Sequence, residues 1–448
     1  MGRCPSCGEW NTLVEEGPQR AEPGRKRGRP EARKPVPLRE VRAADVARMS
    51  TGNDELDRVL GGGIVPGAII LIGGSPGIGK STLTNAALGS LQAAGRSTLY
   101  VSGEESAAQI RLRAERLGDD ALAVPVLAET SLETVLSTLE GESPDVCVVD
   151  SVQTLHAEGL SGAPGSVGQV REVAARLERF ARERGAAVIL VGHVTKDGTL
   201  AGPRVLEHAV DCVLQFEGER ERTYRTLRAH KNRFGSTNEI GVFEMREGGL
   251  TEVSDPSARF VREASAAPGS CVLCAMEGSR PLLVEVQALV APTDAVPPRR
   301  IANGIDRNRL SLVLAVLARH AGRRLGGGVA LGSADVFVSL AGGVRIEEPG
   351  ADLAVALAVA SAAQGIVPEG GPVACFGEIG LTGELRYVAH AERRLQEAGR
   401  FGVRRVLAPQ SCLEDEGVGR IGIGAGAATL DQALVQALRP AAGARRAA

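Results

Sequence analysis

The chain has 448 residues, 43% hydrophobic and 24% charged, with aromatics at only 3% and a formal net charge of -2. That balance excludes a wholly disordered or fibrous chain, and the length allows two or three domains with cores of Val, Leu, Ile and Ala. The near-zero charge carries no global nucleic-acid signal, so any basic surface must be local. No apolar run is long enough to span a membrane and none resembles a signal peptide, so a cytoplasmic protein with no membrane partner is expected.

Cys4 and Cys7 in "GRCPSCGEW" form a C-x-x-C pair followed by a glycine. That is half of a structural zinc site, which needs four ligands. Residues 1–16 therefore read as a partial zinc finger, with Zn2+ on Cys4 and Cys7. Cys271 and Cys274 share the spacing but fall on a strand, where positions three apart face opposite sides. Cys147, Cys212, Cys375 and Cys412 read as single thiols. Residues 17–44 are rich in Pro, Gly and Arg, the composition of a basic flexible linker.

From residue 45 to 260 the pattern is α/β. "GAIILIGG", "STLYVSGE", "DVCVVDS" and "AAVILVGHV" read as buried strands. "STLTNAALGSLQAAG", "ESAAQIRLRAERLG" and "GSVGQVREVAARLERFARERG" are helices between them. Alternation of this kind implies a parallel sheet covered on both faces. "CVLQFEG" and "RTLRAHKNRFG" are expected as antiparallel additions. Residues 261–270 read as a small-residue hinge, 271–438 as a second, mixed domain, and 439–448 as a disordered tail.

The loop Gly74, Ser75, Pro76, Gly77, Ile78, Gly79, Lys80, Ser81, Thr82 contains G-x-x-x-x-G-K-[ST] between a strand and a helix, the Walker A context. Its backbone N–H groups and the helix N-terminus suit ATP phosphates, with Lys80 on the β- and γ-phosphates and Ser81 on Mg2+. Asp150, ending the strand "DVCVVD", is the Walker B partner for Mg2+. Glu104 and Glu105 follow the strand after the Walker A helix, in "YVSGEES". Glu104 is the favoured base for water, with Glu105 as helper or alternative, and a Glu-rich helix start is the other reading. His193 stands where it could sense the γ-phosphate, or is a satisfied polar residue at a sheet edge.

Only five of the 52 basic residues are lysines, namely Lys26, Lys34, Lys80, Lys196 and Lys231. A lysine is therefore informative here. "AHKNRFG" places Lys231 and Arg233 two residues apart with no obvious acid beside them. Such a pair suits the γ-phosphate of a neighbouring subunit, or else protects an exposed strand edge.

Together "GRCPSCGEWNTL", "GGSPGIGKSTL", "YVSGEES", "VVDSVQT", "GHVTKDG", "KNRFG", "EPGADLAVALA" and "GEIGLTGELR" resemble the RadA (Sms) family of bacterial DNA repair proteins over nearly the whole chain. The resemblance implies a RecA-type P-loop ATPase core, a Lon-protease-like α+β domain and an N-terminal zinc finger. It also implies a DNA-dependent ATPase that forms homo-hexameric rings on single-stranded and branched DNA. That enzyme would drive branch migration beside RecA in recombinational repair. Lys231 and Arg233 would then act across the subunit boundary, and Lys196 and Arg204 would touch DNA from channel loops.

Two departures follow. The family's first C-x-x-C is missing, and its two ligands are expected upstream of Met1. A Lon-type Ser–Lys dyad would align near Gly350 and Glu392, yet no lysine follows Lys231, and arginine cannot act as a neutral base. Proteolysis is thereby disfavoured. Arg299, Arg300, Arg307 and Arg309 become candidates for duplex DNA, or are solvated charges. The alternative function is a RecA-fold regulatory switch that binds ATP without translocating.

Overall fold

The computed structural model describes residues 37, 40, 47–192, 205–217, 224–246, 248–262, 264, 266–321, 331–367 and 372–438. Cys4, Cys7, His193, Lys196 and Arg204 lie outside the described residues, as do nearly all of the expected linker and the expected tail.

Asn53 caps the first helix, α1 (Asp54–Leu60), by accepting from Leu56 N, and Gly61 ends it in the left-handed conformation. Next come β1 (Ile69–Gly73), α2 (Lys80–Ala93), β2 (Thr98–Ser102), α3 (Ala107–Ala114), α4 (Asp119–Leu122), β3 (Val126–Ala128), α5 (Leu132–Glu142) and β4 (Val146–Asp150). They are followed by α6 (Val167–Arg184), β5 (Ala187–Val191), α7 (Val205–Ala209), β6 (Cys212–Glu217), β7 (Tyr224–Asn232), β8 (Ile240–Arg246), β9 (Gly249–Glu252) and α8 (Pro256–Val261). The strands form a nine-stranded sheet in the order β3-β2-β4-β5-β1-β6-β7-β8-β9.

All residues of β1, β2, β4 and β5 are buried. That is why these strands read as unbroken apolar runs rather than alternating ones. Ile70 and Ile72 share a core with Leu83 and Leu88 of α2, while Ile69 and Leu71 share the opposite one with Val173 and Leu177 of α6. One expectation needs correcting. β6 pairs with β1 in parallel, with Ile70 opposite Cys212 and Gly73 opposite Gln215; the antiparallel additions begin only at β7. The chain leaving β5 crosses over β1, through α7, before β6 starts, and such a crossover delivers a parallel strand.

The second sheet has seven strands in the order β12-β13-β11-β10-β14-β17-β18. In chain order its elements are β10 (Ser270–Glu277), β11 (Arg280–Pro292), β12 (Arg300–Asn303), α9 (Arg307–Val316), β13 (Ala334–Leu340), α10 (Asp352–Gln364) and β14 (Val373–Cys375). A small hairpin of β15 (Glu378–Ile379) and β16 (Leu385–Arg386) precedes α11 (Ala391–Arg400), β17 (Val406–Pro409), α12 (Glu416–Gly419), β18 (Gly424–Ala427) and α13 (Leu430–Ala437). Leu310 of α9, the apolar α10 and Leu430 of α13 cover one face, and Leu395 of α11 covers the other. Cys271 faces the first of these cores and Cys274 the second. The two thiols therefore point apart, as the strand period requires, and no zinc site can use both.

Both sheets belong to one compact unit. Ile240, Val242, Val253 and Phe260 join the core of the second sheet. Buried Glu55 of α1 accepts from Val242 N at 2.8 Å and from Arg280 of β11 at 2.6 Å.

Candidate nucleotide site

The carboxyl ends of β1, β2 and β4 lie side by side, since β4 pairs with both β2 and β5, and β5 with β1. A loop leaving β1 therefore sits beside the residues that end its neighbours. Gly77 and Gly79 of that loop have φ of +74° and +116°, which glycine adopts without strain. Gly79 also has no room for a side chain, because a Cβ there would stand 2.4 Å from Leu250 Cδ1 of β9. Lys80 is buried and folds back across the loop, donating from Nζ to the carbonyls of Gly74 at 2.8 Å and Ser75 at 3.1 Å.

Tyr100 of β2 engages the Walker B aspartate. Its phenol donates to Asp150 Oδ2 at 2.6 Å and accepts from an Arg113 guanidinium N–H at 3.3 Å. Burial first, and the Asp150 charge second, hold the phenol far above its ordinary pKa. It stays neutral and keeps its proton for Asp150. Ser81 opens α2 directly after the phosphate loop, and Asp150 ends β4 at the same end of the sheet. A hydroxyl and a carboxylate converging at the head of a phosphate loop fit the hard-oxygen donor set of Mg2+.

At the end of β2, Gly103 N donates to Asp150 O at 2.9 Å, and a Cβ on Gly103 would stand 2.1 Å from Thr154 Oγ1. A glycine there makes room for Thr154 in the turn after β4. The two glutamates that follow part company. Glu104 Oε1 accepts from Ser151 Oγ at 2.5 Å, next to Asp150. Glu105 pairs with Arg113 at 2.7 Å on the side leading to α3.

Lys231 and Arg233 lie toward the start of β6, at the end of the strand two over from β1. Lys231 is opposite Val213, near the start of β6, whereas Gly73 is level with Gln215. Lys231 Nζ donates to the carbonyls of Glu207 and Val210, each at 2.7 Å. The expectation of no acid nearby is wrong for Arg233, which pairs with Asp211 at 3.0 Å. Asp211 is distant in sequence and arrives through the parallel β6. The rest of "KNRFG" fixes this loop. Asn232 donates to Val59 O at 3.1 Å, and a Cβ on Gly235 would stand 2.9 Å from Gly61 Cα.

An AAA domain family model matches residues 34–199. The chain is 48% identical over 420 residues to the DNA repair protein RadA of Bacillus subtilis (strain 168), covering 92% of this chain and 90% of that one. It is 50% identical over 423 residues to the DNA repair protein RadA of Brucella abortus (strain 2308), at 91% and 88% coverage. The chain belongs to the RadA family of DNA repair proteins. A KaiC-like protein from Pyrococcus horikoshii OT3 overlaps 46% of the chain at 20% identity and a TM-score of 0.39. With the AAA match, RadA membership makes the phosphate loop that of an ATP-binding ATPase domain.

Three residues around this RadA-family site escaped the motif reading: Tyr100, Arg113 and Ser151. Tyr100 sits within an apolar strand and Arg113 on a charged helix. Ser151 carries a faint signal, being the residue after the Walker B aspartate. Of the four arginines considered for duplex DNA, Arg309 chelates buried Asp352 through two contacts of 2.7 Å. Arg299 pairs with Asp335 at 2.7 Å, and Arg300 donates to Leu331 O at 2.6 Å. Arg307 is exposed on a cleft of about 710 Å³ between the two sheets.

Proposed function

We propose that this protein is a DNA-dependent ATPase of recombinational repair, working as a homo-hexameric ring that promotes branch migration beside RecA. The observation that carries the reading is the convergence of Lys80, Ser81, Asp150 and Glu104 at the mouth of one phosphate loop. In this reading Lys80 leaves the loop carbonyls for the β- and γ-phosphates, and the loop N–H groups and the start of α2 hold the rest. Ser81 and Asp150 would hold Mg2+, which would supply charge neutralisation on the phosphates. Glu104, oriented by Ser151, draws a proton from the attacking water. Glu105 is engaged by Arg113 and serves as a positioning residue at most.

Lys231 lies two rungs below the level of Gly73, on the second strand over, with its Nζ bound to the Glu207 and Val210 carbonyls. Lys231 and Arg233 are assigned to the nucleotide of the adjoining subunit. The segments holding His193, Lys196 and Arg204 are assigned to phosphate sensing and to DNA in the channel. Cys4 and Cys7 are assigned to half of a zinc finger. The second domain is read as Lon-protease-like without proteolysis. A Cβ on Gly350 would come within 3.0 Å of Glu348 Oε2, Glu392 is exposed, and no lysine follows Lys231.

The test is ATP turnover with and without single-stranded DNA. Stimulation by DNA, abolished in Lys80→Ala, supports the translocase. A rate indifferent to DNA favours an ATP-binding switch instead.

A further inference from the structure

Resting on that reading of the ATP site, we infer that Tyr100 is a positioning residue for the metal: its hydroxyl holds the Asp150 side chain in the orientation that, with Ser81, receives Mg2+. The phenol oxygen is held on two sides, accepting from Arg113 at 3.3 Å and donating to Asp150 Oδ2 at 2.6 Å. A phenol has a single proton, and here it is committed to one oxygen of Asp150. That bond fixes the rotation of the carboxylate and leaves Oδ1 as the oxygen turned to the metal or its water.

The arrangement is built rather than incidental. Tyr100 is 1% exposed, and its ring lies in the core with Ile72, Leu83 and Ile110. The hydroxyl therefore has no solvent alternative. Arg113 is tied in turn to Glu105 at 2.7 Å, so the loop after β2 buttresses the phenol from behind. Partners that orient a metal's ligands from outside its coordination shell typically change metal affinity by about 10–100-fold when lost. Phenylalanine at this position would keep the packing and remove only the proton that orients Asp150.

The experiment compares the full chain with Tyr100→Phe by fluorescence titration of mant-ATP. One arm is in EDTA and the other at a series of Mg2+ concentrations. The expected result is equal affinity in EDTA and a Mg2+ half-saturation raised by about tenfold in the variant. Superimposed Mg2+ titrations overturn the inference. Should the wild type itself bind mant-ATP with no dependence on Mg2+, the ATP-site reading fails as well, and the two failures are thereby distinct.

A second measurement needs no change at Tyr100. The chain has only three tyrosines, so 3-fluorotyrosine labelling gives three 19F signals, assigned with Tyr224→Phe and Tyr387→Phe. The Tyr100 signal is expected to shift when Mg2+ is added to the ADP-saturated protein. A signal that moves with ADP alone and ignores Mg2+ overturns the inference.

Discussion

Ser151 Oγ donates a 2.5 Å hydrogen bond to Glu104 Oε1, so the residue after the Walker B aspartate holds the candidate base. Glu105, one position on, is turned away toward Arg113. Glu104→Gln is expected to lower ATP turnover by about 10²–10⁴-fold, the usual contribution of a general base, with nucleotide binding retained. Glu105→Gln should cost far less. Ser151→Ala, which removes one hydrogen bond to a charged group, should cost about tenfold in kcat with little change in KM. Steady-state kinetics on the three variants checks the order. A larger loss in Glu105→Gln than in Glu104→Gln would exchange their roles.

Much of this site is legible in the sequence because its demands are local. A phosphate loop needs glycines at fixed offsets between a strand and a helix, and Gly77 and Gly79 carry the positive φ that the spacing implies. The opposed faces of Cys271 and Cys274 follow from the strand period alone. What stayed hidden depends on the meeting of distant segments. Tyr100 looks like any aromatic in a buried strand until β4 brings Asp150 beside it. The direction of β6 depends on a crossover that its own residues do not encode, and the Asp211 partner of Arg233 was hidden with it.

Arg394 is 2% exposed, yet it donates to both carboxylate oxygens of Glu348, to Cys274 O at 2.7 Å and to Ala389 O at 3.1 Å. Its guanidinium also lies 5.2 Å from the Phe376 ring centroid. Removing one partner of a buried pair leaves the other charge uncompensated, at about 3–5 kcal/mol. Arg394→Ala is accordingly expected to lower the urea midpoint by a corresponding amount. Arg386→Ala, whose pair with Glu384 lies at the surface, should change it far less. Equal midpoints for the two variants would show that Arg394 is not a structural anchor.

Glu277, at the end of β10, has its carboxyl pushed up to about 7, chiefly by burial and against the pull of Arg228 at 2.9 Å. A carboxyl raised in the folded state binds its proton there at a pH where the unfolded chain has released it. Its contribution to stability is therefore greatest near pH 4.5 and falls as pH rises toward about 7. The full swing is roughly 3 kcal/mol at most. Unfolding free energy of the wild type minus that of Glu277→Gln, followed from pH 5 to pH 8 (roughly the window of the shift), should decline across the interval. A flat difference would mean that the carboxyl titrates normally.

Lys231 lies two rungs below the level of Gly73, and its Nζ is tied to the Glu207 and Val210 carbonyls rather than turned to its own phosphate loop. The proposed ring assigns it to the nucleotide of the adjoining subunit. Lys231→Ala should bind mant-ATP like the wild type and fail to turn it over. The decisive measurement mixes chains. In a ring of Lys80→Ala and Lys231→Ala subunits, some interfaces pair an intact Lys80 with an intact Lys231 from different chains. Turnover should return in the mixture though each variant alone is inactive. If mixing restores nothing while light scattering shows the two variants co-assembled, Lys231 acts within its own subunit, through its hold on the Glu207 and Val210 carbonyls.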